Sequence, residues 1–440
     1  MFWGGKMTAL AVVFSVLALI IGGLPRIKVQ APYGFGLWPL KLISAALAPF
    51  GLAAGALGLG FALLASSLPA AILAGLGLLL SGEYFLQIVR VHEDFEGAFG
   101  PDWQRCIPPE RESGLLARRW SAWLPAGPDP GWQRDIPFWI IPGSERKLLC
   151  DLWTPPAGVR PSGLAFIYLH GGNWYFLDKD VLTRPFFRHL ADQGHVVMDV
   201  AYRLFPETDL AGMAADAKRA VAWMKTNGSV YGVDARKIVL GGASAGGHLA
   251  LLAAFAPYQP EMTPEDLKDS DLSVRAVISE YGPTNLAACY FHTNQNKTTR
   301  AIRSRTVAVG VPEAGSNPGS PGQKAPRGRL GLNKPSVYGA FVNILGRHLD
   351  EIPGVYACFS PDTYVHPGCP PTLQIKGKDD LVTPAPAMLD LHQKLRAAGV
   401  PSVSVVYPHT DHAFDLALPQ VSPAAQASWY VVDRFLSLVG

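Results

Sequence analysis

Eighteen consecutive residues, Lys237 to Ala254, leave the chain few folds to choose from. A β-branched run enters Gly242-Ala243-Ser244-Ala245-Gly246 and continues as an Ala/Leu-rich helix. Glycines at that spacing let strand and helix approach closely, so the serine between them sits in a sharp turn with its hydroxyl clear of the sheet. The helix start behind Ser244 adds free backbone N–H groups and the positive end of a helix dipole, both suited to an oxyanion. The plain alternative is a small-residue turn around a buried serine. The flanking strand and helix favour the nucleophile.

The surrounding sequence repeats this alternation. Strands are expected over Lys147 to Trp153, Gly163 to Leu169, Val196 to Val200, Val274 to Ser279, Thr372 to Lys376 and Val403 to Tyr407. Helices are expected over about Leu210 to Asn227, Ala385 to Ala398 and Ala424 to Val439. Apolar strands separated by helical periods imply an α/β fold, a mostly parallel sheet with helices on both faces. Ligands of such sheets bind at the carboxyl ends of the strands.

A serine hydroxyl is a weak nucleophile that needs an adjacent base, and the base an orienting acid. Both follow in order, each after a strand: Gly377-Lys378-Asp379-Asp380-Leu381-Val382-Thr383-Pro384, and Pro408-His409-Thr410-Asp411-His412-Ala413-Phe414. Counting from both Gly377 and Pro384 selects Asp380, whereas an Asp-x-Leu-Val reading selects Asp379. His412, followed by Ala-Phe, is preferred to His409, which suits a surface or supporting position. Upstream, Phe166 to Leu169 runs into His170-Gly171-Gly172-Asn173-Trp174. The N–H groups of Gly171 and Gly172, with that of Ala245, form an expected oxyanion hole. One such donor is worth about 3–4 kcal/mol of transition-state stabilisation in a measured case. His170 reads as a residue that fixes this loop. Asn173 and Trp174 are candidate substrate contacts, Trp174 as a pocket wall.

Four of these motifs, together with Tyr202-Arg203-Leu204-x-Pro206, stand in the order found in α/β-hydrolases. Residues 135 to 440 resemble the carboxylesterase branch related to hormone-sensitive lipase and kynurenine formamidase. The resemblance implies cofactor-free, metal-free hydrolysis of carboxylic esters through an acyl-enzyme, with Ser244 as nucleophile, His412 as base and Asp380 as acid. Asn173 stands where lipase-like members usually have a third glycine, and Ala243 where they often have Asp. The alternatives are an amidase or peptidase on the same triad, or a catalytically silent, membrane-tethered binding protein. The front end also resembles the layout of prenylcysteine methylesterases.

That front end is apolar. Thr8 to Leu24 suits one membrane helix, with a cleaved signal peptide as the rival reading against basic flanks at Arg26 and Lys28. Leu42 to Leu80 carries no charge and is divided by Ser66-Ser67-Leu68-Pro69, which suits two further spans. Gly51-x-x-x-Gly55 and Ala56-x-x-x-Gly60 offer small-residue packing faces. Residues 1–90 are therefore expected to form a multi-pass membrane anchor of about three helices. Arg26, Lys28 and Lys41 in the first connection, and Arg90, Arg105, Arg111, Arg118 and Arg119 after the third span, put the catalytic domain on the cytoplasmic side.

Residues 91–134, rich in proline, read as a linker and interfacial collar. Its tryptophans at 103, 120, 123 and 132 suit headgroup depth or the domain core equally. A basic, Gly/Pro/Ser-rich insert at about 290–340 is expected to be a flexible flap. It would either touch anionic headgroups or stay solvated.

Composition excludes little else. A net charge of +3 is too small and dispersed for a nucleic-acid partner. Five scattered cysteines give no metal-like spacing; a Cys358–Cys369 bridge is open, but nothing in the sequence argues for it. The expected substrate is a small-molecule or lipid-like ester, and oligomeric state is not legible.

Overall fold

A computed structural model describes residues 2–29, 36–294 and 337–440. The core is an eight-stranded sheet in the order β1-β2-β4-β3-β5-β6-β7-β8. Its strands are β1 (Gly131–Ile140), β2 (Lys147–Thr154), β3 (Ala165–Leu169), β4 (Val196–Val200), β5 (Ile238–Ala243), β6 (Ala276–Glu280), β7 (Thr372–Gly377) and β8 (Ser402–Tyr407). From β4 to β8 every pairing is parallel. β1 and β2 join antiparallel at one edge. All residues of β3, β4, β5, β6 and β7 are buried, which is why these strands read as unbroken apolar runs rather than alternating ones.

The strands and helices expected after residue 135 are present within a residue or two at each end, whereas the first apolar helix begins at Phe2 rather than Thr8. Several more were not legible, β1 and the helix Arg184–Asp192 among them. β1 begins inside the stretch expected as linker; it contains Pro137 and a positive φ at Asp135, and its pairing with β2 slips twice. The collar tryptophans divide by environment: Trp132 stacks on Trp153, Trp103 on Phe95, and Trp120 lies edge-on to Phe85, while Trp123 is exposed. All five thiols are free, so the Cys358–Cys369 bridge does not form. Most of the expected insert, residues 295–336, lies outside the described residues.

At the front, α1 (Phe2–Gly23), α3 (Ala48–Leu64) and α4 (Leu68–Ile88) form a three-helix bundle, with short α2 (Trp38–Ala46) bent 71° from α3. Two of these helices are long and apolar enough to cross a membrane, or three if the bent pair is one span. Small residues set the packing: a β-carbon at Gly55 would meet Leu78, and one at Gly51 would meet Ser81 and Ile21. Gly60, by contrast, has nothing near it, so the second small-residue motif faces outward.

One apolar cluster runs from Ala45, Tyr84 and Ile88 of the bundle into Tyr407, Phe414 and Trp429 behind the sheet. Bundle and sheet thus share a core.

Candidate active site

Ser244 occupies the turn between β5 and the helix Ala245–Phe255 with φ 53° and ψ −120°. Its N–H donates to the Glu280 carbonyl at 2.9 Å. A β-carbon at Gly242 or Gly246 would overlap the Leu169 carbonyl of β3, so the glycines permit the strand, turn and helix to close on one another. A left-handed serine costs of order 1–3 kcal/mol and persists only where the surroundings fix it.

The loops after β7 and β8 converge on this hydroxyl. Ser244 Oγ lies 2.8 Å from His412 Nε2, and His412 Nδ1 lies 2.9 Å from Asp380 Oδ2. Asp380 Oδ1 accepts the N–H groups of Val382 and Thr383 at 2.8 and 2.7 Å, and Oδ2 accepts the Thr383 hydroxyl at 2.9 Å. Lys376 Nζ donates to that hydroxyl at 2.8 Å. Burial pushes the Asp380 carboxyl up, but the neighbouring His412, Lys376 and these hydrogen bonds outweigh it and hold it below the usual range. Asp379, the other candidate, turns outward: its carboxylate faces the ring of the partly exposed His409 at 3.8 Å.

The glycine pair after β3 lies against the serine. A β-carbon at Gly171 would sit 3.3 Å from Ser244 Cβ, and Gly172 has φ 120° with its carbonyl turned to the N–H groups of Tyr175 and Phe176. Ala245 is the first helical residue, so its N–H has no acceptor within the helix. His170 stacks on Tyr202 with ring centroids 4.4 Å apart, and the Tyr202 hydroxyl donates to the His170 carbonyl at 2.8 Å. The histidine therefore fixes the loop. Asn173 and Trp174 follow with φ of 55° and 64°. The Trp174 ring is buried edge-on against His248 and Phe341, backing the site from within.

A second set of contacts was not legible in the sequence. Lys41 of α2 donates to Asp411 Oδ2 at 2.9 Å, and both side chains are almost wholly buried (2% and 0% exposed). Asp411 Oδ1 in turn accepts the N–H groups of His412 and Leu381 at 2.8 and 3.0 Å. Trp38 Nε1 donates to the His412 carbonyl at 3.1 Å, and the Tyr84 hydroxyl meets Thr410 Oγ1 at 3.4 Å. Lys41 is thus not the loop cation expected from the charge pattern; it sits in a helix turned toward the sheet. The only hint was a lysine in an otherwise apolar segment, which an intramolecular acid explains.

The BD-FAE family model matches residues 150–313, a span that takes in Ser244 and the His170 loop. Esterase LipQ of Mycobacterium tuberculosis is 29% identical over 338 residues, 74% of this chain and 69% of LipQ. The chain has the α/β-hydrolase fold and is similar in sequence to carboxylesterases. The probable carboxylic ester hydrolase LipM of the same organism is 27% identical over 66% of this hydrolase, which spans 58% of LipM's length. Among solved structures, Thermogutta terrifontis esterase 2 phosphoramylated by tabun superposes with a TM-score of 0.51 at 20% identity. That match covers 72% of the hydrolase and 97% of the esterase chain, a likeness of fold.

Proposed function

We propose that this hydrolase cleaves carboxylic esters through an acyl-enzyme and does so while held in a membrane by its N-terminal helices. The carrying observation is the unbroken line of hydrogen bonds from Ser244 Oγ through both ring nitrogens of His412 to Asp380. In this reading His412 Nε2 takes the Ser244 proton as Oγ bonds to the acyl carbon, and returns it to the departing alkoxide. Asp380 holds the imidazole in the tautomer with its proton on Nδ1 and stabilises the imidazolium that forms. The N–H groups of Gly171, Gly172 and Ala245 receive the charge on the tetrahedral oxygen. Water then attacks the acyl-enzyme with His412 again as base.

The membrane part rests on the surface of the bundle. Val13, Leu63, Leu64, Leu68, Ile72 and Leu79 are each more than 60% exposed, a larger apolar face than a soluble monomer presents to water. The C-terminal ends of α1 and α4 lie together on the catalytic side, where Arg26 bonds to the Leu80 carbonyl and pairs with Glu83. With Arg90 at the same level, this supports three crossings and a cytoplasmic catalytic domain. A reporter fused after Gly440 that is active only outside the cytoplasm would reverse that orientation. The collar 91–134 is then the stretch leading from the bilayer surface to the sheet.

The catalytic reading is tested with a fluorophosphonate probe and short-chain nitrophenyl esters on the full chain in neutral detergent. Wild type is expected to be labelled once and to turn over. Ser244→Ala is expected to lose both. A wild type that is neither labelled nor active refutes the assignment.

A further inference from the structure

We propose that the junction between bundle and catalytic domain holds a binding site for a phosphate-type anion, built around Lys28, Arg90 and Lys378. A cavity of about 500 Å³ opens there, more than ten times the ~30 Å³ share of one liquid water molecule. Arg26 and Lys28 reach it from the end of α1, Arg90 from the end of α4, and Lys378 and His409 from the loops after β7 and β8. Four cationic side chains thus line it against a single carboxylate, Asp379.

Local acids do not neutralise the four equally. Arg26 is committed to Glu83 and to the Gly22 and Leu80 carbonyls. Lys28, Arg90 and Lys378 make no side-chain hydrogen bond or ion pair with the described residues, although elsewhere basic side chains such as Arg203, Lys179 and Lys394 have found carboxylates. Three uncompensated cations from three separate chain segments, turned into one concave space, form a local excess of positive charge. A guanidinium offers a forked pair of donors to phosphate oxygens and an ammonium a compact point charge, so the set suits a phosphomonoester or phosphodiester. The ends of α1 and α4 also mark the depth at which headgroups stand if these helices span a bilayer. The ligand is then either the phosphate of an anionic lipid or a free phosphate compound.

Both sources meet the same test. The full chain in neutral maltoside micelles is titrated with dihexanoyl phosphatidylglycerol, with dihexanoyl phosphatidylcholine and with inorganic phosphate, and binding is read by microscale thermophoresis. Phosphatidylglycerol is expected to bind more tightly than phosphatidylcholine. Each of Lys28→Gln, Arg90→Gln and Lys378→Gln is expected to weaken it about fivefold, the equivalent of one basic charge at a membrane surface. A charge-matched control, Arg105→Gln with Arg236→Gln and Lys268→Gln, removes three cations outside the cavity and is expected to change binding less than twofold. Competition by millimolar inorganic phosphate assigns the site to the phosphate group itself, and its absence assigns the site to the lipid headgroup in place. The proposal is overturned if the two lipids bind alike, if a variant carrying Lys28→Gln, Arg90→Gln and Lys378→Gln together binds as wild type, or if the control loses as much as that variant. None of these readouts uses ester turnover, so failure here leaves the catalytic reading untouched, and the reverse holds too.

Discussion

Replacing Lys41 with methionine isolates the contact between bundle and base loop. Asp411 is buried, and burial pushes its carboxyl up while Lys41 pulls it down. Removing one partner of a buried ion pair typically costs about 3–5 kcal/mol, because the other charge is left without compensation. The cost here is expected at the lower end, about 3 kcal/mol, since Asp411 Oδ1 keeps two backbone N–H donors. The sign of the pH dependence follows. Without Lys41 the folded-state carboxyl titrates higher still above its unfolded value. Stability is then fully present below the unfolded pKa and is lost as pH rises through the folded one. Lys41→Met is therefore expected to be nearly as stable as wild type at acid pH and to fall behind it toward neutrality. Thermal unfolding of the full chain in maltoside between pH 4.5 and 8, with the double variant Lys41→Met/Asp411→Asn alongside, measures this. The double variant is expected to recover most of the loss at pH 7. Catalysis supplies a second readout: a His412 loop displaced by a fraction of an ångström lowers kcat with little change in KM, up to about a hundredfold for 1 Å. Equal melting temperatures of wild type and Lys41→Met across the range, or a double variant no better than the single, would refute the reasoning.

Two further outcomes follow from the site itself. Asp380→Asn is expected to lower kcat by about 10⁴, as loss of the orienting carboxylate does in a measured triad, whereas Asp379→Asn stays within about threefold; steady-state kinetics on a nitrophenyl ester separates them. Glu280 is held well above the usual carboxylate range, by burial first and by the charge of Asp415 second. Its carboxyl is held protonated in the fold more readily than in the unfolded chain, so its contribution to stability is fully present below the unfolded pKa and declines as pH rises above it. Glu280→Gln, which has no proton to lose, is expected to show a flatter profile from pH 5 to 8 by chemical denaturation; parallel profiles would exclude the account.

The parts of the site that follow strand ends were legible because each is local. Ser244 is set by its two glycines, Asp380 by its distance from Gly377 and Pro384, and His412 by the aromatic that follows it. Burial on both faces made β3 to β7 readable as apolar runs. β1 was hidden because an edge strand tolerates a proline and two slips of register, and the periodicity is lost with them. Lys41 and Trp38 were hidden for another reason. Their partners lie 370 and 374 residues away, and no pattern in a single sequence marks such a pairing. The charge pattern even misdirected the reading, since Lys41 counts as a loop cation until its carboxylate is seen.

Under the proposed membrane anchoring, the grip of α2 on Asp411 and His412 would make bilayer thickness a parameter of the chemistry. Helices of fixed apolar length meet a thinner or thicker bilayer by tilting, at a modest cost per ångström of mismatch. A tilt of this bundle moves Trp38 and Lys41, and with them the main chain on both sides of the His412 ring. For a bundle held in a bilayer as proposed, lipids of different acyl length are expected to alter turnover without entering the catalytic centre, and turnover measured in bilayers of graded acyl length checks this.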